Sequence, residues 1–325
     1  MKKLLLALMV AGLVVALTAP AFADTTFGGR VRWNFGYEAN SQELTDNGES
    51  DIVSGFMSVS STSYLRVTFE SKDKKVGVRI EVGLGGTVTR RPVFGWYTMG
   101  NCKLVAGNQY TWAGDGVIGP SSWIIDPTTG GMGITYHGRR PMVALEWRSG
   151  NFGVQIGLFE PQMSMAVDDF RWVLPALNIT VDAKFGSIQI APAFGIVHYL
   201  WEADSGDDSV VAWFVGLPAQ VAFGPVTVKL AFMYSVNGAS DFGQNGLSAP
   251  ILVAGQVEDG TSYGGWAEVV FSSGAVSVAG GAAWVTIDND SWVASDISQF
   301  KYYIHLQYKV HANFVIRPER SEERR

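Results

Sequence analysis

The residues best suited to act on a charged molecule are arginines at alternating positions. Arg30 and Arg32 stand two apart in the segment FGGRVRWNFGYE, from Phe27 to Glu38. Arg66 precedes Glu70 in a second segment, and Arg79 precedes Glu81 in a third. In an extended chain alternate residues share a side, so each segment presents its charges on one face. A guanidinium does not deprotonate in proteins. Such a face therefore offers a standing positive field, partly neutralised by Glu70 and Glu81, which acts by selecting charged solutes. Covalent chemistry finds no comparable support. His137, His198, His305 and His311 form no H-E-x-x-H pair, and no nucleophile elbow is expected. His305 reads as a wall residue on a polar strand face, and Cys102 as a structural thiol in a tight turn. A single cysteine excludes a disulfide framework or a Cys-rich metal centre. Gly28-Gly29 and Gly85-Gly86 fall inside strands and are not phosphate loops. No catalytic residue, metal or cofactor is expected.

The elements that carry these residues follow from composition and periodicity. Of 325 residues, 47% are hydrophobic and 17% charged, which excludes a disordered chain. Mean hydropathy is +0.13, yet one apolar run of helical character exists, Leu4–Leu17. A helical membrane protein of several spans needs several runs of about 20 residues. High apolar content without such runs points to alternation, the mark of strands. Leu65, Val67 and Phe69 oppose Tyr64, Arg66, Thr68 and Glu70. Val78, Ile80, Val82 and Leu84 oppose Gly77, Arg79, Glu81 and Gly83. The same pattern recurs at 152–159, 177–185, 226–237 and 300–311. Segments of about ten residues match a tilted strand crossing a bilayer.

The connections alternate too. Tight turns at 72–75, 100–102, 148–151, 185–187, 223–225 and 272–274 are interleaved with longer polar links. Those links are 39–52, 111–131, 161–172, 202–209, 237–262 and 288–298. Short turns at one end and long loops at the other are the habit of an outer-membrane barrel, periplasmic and extracellular respectively. The expected fold is an all-β transmembrane antiparallel β-barrel. Such barrels have even strand counts, so sixteen strands are expected, with fourteen the alternative. Fourteen crossings are legible up to His311 and a partial fifteenth starts at Phe314; 250–258 could supply another.

Lys2 and Lys3, the run Leu4–Leu17 and Ala21-Phe22-Ala23 read as a secretory signal over 1–23, leaving one domain over 24–325. The formal net charge is −6, and removing Lys2 and Lys3 takes it to −8. An acidic exported chain is a poor nucleic-acid binder, and none is expected as a partner.

The stretch Leu104-Val105-Ala106-Gly107-Asn108-Gln109-Tyr110-Thr111 is similar to the "G-R-Q" ending of the fifth strand of general porins of Gram-negative bacteria. Gly133-Ile134-Thr135-Tyr136 resembles the resumption of their sheet after the loop that folds into the barrel. The likeness extends, as pattern, over nearly the whole chain after the signal. It implies a loop over 111–131 that narrows the pore, carrying Asp115 and Asp126, with Gln109 lining the lumen. It further implies an outer-membrane location amid lipid, passive diffusion of small hydrophilic solutes and ions, no enzymatic activity and a homotrimer. Gly280 and Ala282, outward by parity, suit a close subunit contact. A non-conducting barrel serving as anchor or adhesin, and a substrate-selective channel, are the alternatives. The chain departs from the family in Asn108, which stands where Arg is common, and in lacking P-E-F-G-G in the loop. It also ends in a charged tail, 317–325, where porins close on an aromatic; closure upstream or truncation would account for this.

Overall fold

Alternation becomes pairing: every strand pairing among the described residues is antiparallel. The computed structural model describes residues 24–31, 33–39, 53–59, 63–84, 89–112, 117–120, 139–161, 170–172, 174–203, 206–238, 251–253, 256–289, 297–311, 314–317 and 319–324. The signal segment 1–23 lies outside them. The chain divides into a first unit, Met1–Met99 with Val105–Gln109, and a second, Gly100–Leu104 with Tyr110–Arg325.

The first unit holds β1 (Asp24–Arg30), β2 (Trp33–Ala39), β3 (Val53–Val59), β4 (Tyr64–Glu70), β5 (Val76–Gly83) and β6 (Thr89–Met99). β1 pairs with β4, β4 with β5, β5 with β6, and β2 with β3. Part of β7 (Cys102–Tyr110) belongs here. Register sets the rows. Gly28, Arg66 and Glu81 stand opposite one another, as do Arg30, Tyr64 and Gly83, and Thr26, Thr68, Arg79 and Phe94.

The second unit continues with β8 (Arg139–Ser149), β9 (Phe152–Phe159), β10 (Phe170–Trp172), β11 (Ala176–Phe185), β12 (Ile188–Ile190), β13 (Ala193–Ala203) and β14 (Gly206–Phe223). Then come β15 (Val226–Val236), β16 (Ile251–Val253), β17 (Gln256–Glu258), β18 (Gly260–Ser273), β19 (Val276–Asn289), β20 (Ile297–His311), β21 (Phe314–Ile316) and β22 (Glu319–Arg324). From β8 each strand pairs with its successor, apart from short interruptions. Proline makes one of them: Pro192 has no N–H to donate. Register is nevertheless the same on both sides of it, Ala183 facing Ile190 and Thr180 facing Ala193. The Pro192 carbonyl still accepts from Val181 N–H.

Three expectations are revised. Within the polar stretch 202–209 the described residues stay in the ladder, Trp201 facing Asp208 and Ala203 facing Gly206. Backbone pairing does not require apolar side chains, so a strand carries on past the apolar band. Likewise the strand from Phe314 does not give way to a charged tail. Tyr308 faces Ile316, and in the same register His305 faces Glu319 and Phe300 faces Arg324. Finally, 251–258 forms a small hairpin of its own while β15 pairs directly with β18, so it adds no crossing.

Along β8, β9, β18 and β20 exposed apolar residues alternate with buried ones. In β9, Phe152, Ile156 and Leu158 are exposed, whereas Gly153, Gln155 and Gly157 are buried. The buried face of the second unit holds two apolar clusters among its polar rows. One gathers Met142, Phe159, Val197, Tyr199 and Phe214, the other Met233, Trp266, Val285, Ile287 and Tyr303. Bulky side chains thus stand beside the polar rows on this face.

Candidate functional site

In the first unit an arginine cluster spans one face of β1, β4, β5 and β6, from exposed Arg30 through part-buried Arg66 and Arg79 to buried Arg91. Adjacent rows bring the guanidinium carbons of Arg30, Arg66 and Arg91 to 5.4, 5.0 and 4.9 Å from the Tyr64 ring centroid. That is cation–π range. Arg79 lies over Phe94 at 5.6 Å. The one fully buried carboxylate is Glu81, whose Oε1 accepts from Arg66 Nε at 2.6 Å and whose Oε2 lies 3.6 Å from Arg91 Nε. Arg66 Nη2 also donates to the Tyr64 hydroxyl. Four guanidiniums against Glu81 and the half-buried Glu70 leave a surplus of positive charge.

Of the expected residues, Arg30, Arg66, Arg79 and Glu81 meet here. Glu70 stands one same-face row nearer the turn, opposite Asp24 and Gly77. Gln109 is half-buried near the end of β7, and among the described residues no hydrogen bond joins it to the arginines. Arg32, Asp115 and Asp126 lie outside the described residues. Arg91 was not expected. Simple alternation from Phe94 and Trp96 would bury Arg90, but the register slips between Ile80 and Val82. That bulge, at Arg91-Pro92, turns Arg91 to the side of Glu81; bulges re-aim side chains in this way. The signal available in sequence is the proline inside a strand.

Gly107 holds the end of β7 against β6. Its φ is +128°, and a Cβ there would lie 2.4 Å from the Val93 carbonyl oxygen and 2.7 Å from Phe94 Cα. Both are backbone atoms and cannot swing aside. Gly107→Val should destabilise the folded protein by at least ~2 kcal/mol, the cost of strain plus overpacking. The fraction of protein resisting SDS without heating should drop, and an unchanged fraction would refute this account.

In the second unit the segment after β7 turns onto the buried face. The Trp112 N–H donates to Gln155 Oε1 at 2.7 Å, and Arg148 stacks on the Trp112 ring at 4.0 Å. Arg148 also pairs with Asp182, which accepts from Gln189, which accepts from Gln220, forming a polar row across four strands. Further along, Ile118 is buried among Met233, Trp266, Ala283 and Tyr303. The Gly119 carbonyl accepts from Lys229 Nζ at 3.2 Å. Lys229 stands opposite Glu268, Glu268 opposite Gly281, and Gly281 opposite Tyr303. Lys229 Nζ lies 3.2 Å from Glu268 Oε1, and the Tyr303 hydroxyl reaches across Gly281 to donate to Glu268 Oε2 at 2.5 Å.

Gly260-Thr261-Ser262-Tyr263-Gly264 spells G-x-S-x-G, but it lies inside β18. Ser262 is buried and paired with Ser235 and Ile287, not raised on a strand-to-helix turn.

No family model matches the chain, and no curated protein matches it. Solved structures do. The outer membrane channel DcaP of Acinetobacter baumannii is 15% identical over 92% of this chain and 90% of that one, with a TM-score of 0.73. The trimer form of OmpT, an outer membrane protein of Vibrio cholerae, is 12% identical over 92% and 88%, with a TM-score of 0.64. An anion-selective porin from Comamonas acidovorans is 12% identical over 92% and 96%, with a TM-score of 0.52. The fold is that of an outer-membrane porin barrel. In a porin barrel the apolar strand face meets lipid and the polar face lines the interior. The exposed apolar and buried charged faces of both units have that arrangement.

Proposed function

We propose that the chain forms a water-filled channel in the outer membrane of a Gram-negative bacterium. It passes small hydrophilic solutes and ions by passive diffusion, favours anions, and performs no catalysis. The observation carrying this reading is the inversion of the strand faces. Leu65, Ile80, Leu158, Leu217, Val269 and Ile304 are exposed, while Glu81, Arg91, Gln155, Asp182 and Glu268 are covered. Water-facing strands would show the reverse. Lipid around the barrel and water inside it account for both. The surplus of arginine on the first unit's interior supports the preference for anions, because lining charge sets ion preference in pores. The segment 111–131 is read as the constriction loop, supported by Trp112, Ile118 and Gly119 resting on the second unit's interior. Purified protein added to a planar bilayer should give discrete conductance steps with a reversal potential on the anion side. A folded preparation that never conducts would favour the anchor or adhesin reading.

The same reading includes a homotrimer. Gly280 and Ala282 face outward, in register with Val269 and Ile304 and with Ala267 and Tyr302. A Cβ at Gly280 would meet only Tyr303 O, at 3.8 Å. Small residues gain little from lipid but let backbones approach. Light scattering in mild detergent should give three chains per particle, and a monomer mass would remove this part of the proposal.

A further inference from the structure

Among the described residues the short turns are alike except for one. Five have two residues with glycine first, Gly100, Gly150, Gly186, Gly224 and Gly274, at φ between +55° and +60°. Glycine takes that conformation without strain. The turn between β4 and β5 is longer, Ser71-Lys72-Asp73-Lys74-Lys75, and puts Lys74 at φ +56°. A lysine there pays a conformational cost of about 1 kcal/mol that glycine avoids. Its backbone is otherwise well closed, with Lys74 N–H donating to Ser71 O and Ser71 N–H to Val76 O. The lone acidic residue is absorbed into the turn. Asp73 Oδ1 accepts from Ser71 Oγ at 2.6 Å and from Lys75 N–H at 3.2 Å, and Oδ2 lies 3.5 Å from Lys75 Nζ. The Ser71 hydroxyl, followed by the Lys75 N–H, holds the Asp73 carboxyl below its ordinary value, so it stays ionised. Lys72 and Lys74 are exposed and form no ion pair with a described residue.

The position of this turn says what meets it. Val76 and its cross-strand partner Tyr97 are exposed on the lipid-side face, with Met99 beyond. Exposed tyrosine at a strand end marks the headgroup level of a bilayer. Lys74 is two residues past Val76, which is about 7 Å of extended chain. Its ammonium therefore reaches the phosphates of the leaflet at the short-turn end. We propose that Lys72, Lys74 and Lys75 form a headgroup site for anionic glycerophospholipid, phosphatidylglycerol being the simplest case. The inference rests on the membrane-barrel reading.

The test uses full-length protein in nanodiscs of phosphatidylcholine with and without phosphatidylglycerol, followed by native mass spectrometry of the released particles. One basic residue near a lipid surface contributes about 1 kcal/mol, so K74Q should lower phosphatidylglycerol occupancy about fivefold. The variant K72Q/K74Q/K75Q should lower it further, while K184Q at another short turn leaves it unchanged. K74G separates lipid binding from folding: it should raise thermal stability by removing strain, yet lose lipid like K74Q. Equal occupancy in wild type and triple variant would overturn the site. Displacement of the lipid by millimolar inorganic phosphate would reassign it to free anions, and selective binding of a soluble protein would reassign it to a periplasmic partner. Failure to enter nanodiscs at all would instead strike the barrel reading.

Discussion

With Arg30, Arg66, Arg79 and Arg91 all changed to glutamine, the reversal potential across a KCl gradient moves toward potassium. The four side chains hold the positive surplus of the first unit's interior, and charges confined in a low-dielectric wall create potentials of several kT. Removing them should change the anion-to-cation permeability ratio about fivefold or more. The charge they supply is constant across any working pH. Single variants are not equivalent. Arg66 holds Glu81 at 2.6 Å, and Glu81 is 4% exposed. Arg66→Gln leaves that carboxylate to Arg91 at 3.6 Å, and because Arg66 is itself partly exposed the cost falls below that of breaking a fully buried pair. The quadruple variant therefore carries E81Q as well, so that no buried carboxylate is left without a cation. Arg79 lies over Phe94 and makes no ion pair among the described residues, so R79Q reports the field with little structural effect. At 1 M salt the Debye length is near 3 Å, and the difference between wild type and variants should shrink. An unchanged reversal potential in the quadruple variant at 0.1 M salt would show that the arginines are solvated and set no preference.

The strands were readable because their faces differ so strongly. Leu65, Val67 and Phe69 against Tyr64, Arg66 and Thr68 leave one way to pack, and a slip of one residue would exchange the two faces. Five of the six tight turns were readable from glycine, since each sits between two alternating runs. What parity could not give was any residue beyond an irregularity. The bulge at Arg91-Pro92 shifts the count by one and hides the fourth arginine of the cluster. Polarity misled at 202–209 and 319–324, where charged residues remain in the ladder because hydrogen bonding between strands is indifferent to side chains. Loop paths were the least legible. Nothing local in Val117-Ile118-Gly119-Pro120 says which wall it will meet; that is decided by the apolar recess around Trp266 and by Lys229, more than a hundred residues later in the chain.

That recess leads to the second large effect. Lys229→Met removes at once the partner of Glu268 and the donor to Gly119 O. Glu268 is 1% exposed, and removing its cationic partner should destabilise the barrel by about 3–5 kcal/mol. The paired variant K229M/E268L should recover most of that, because a buried ion pair replaced by apolar side chains of similar volume is often neutral. The loop does not recover with it, since the Gly119 carbonyl still lacks its donor. Ile118→Asp tests the same contact from the other side: it places a carboxylate among Met233, Trp266, Ala283 and Tyr303 and leaves the row Lys229–Glu268–Gly281–Tyr303 untouched. If the segment 117–120 narrows the channel by resting on this wall, I118D and K229M/E268L should both conduct more than wild type, with greater current noise, at nearly unchanged unfolding temperature. K229M alone should show the lower unfolding temperature as well. Wild-type conductance in both I118D and the double variant would mean that the latch holds the wall and not the aperture, and that the narrowest section lies in another part of the barrel.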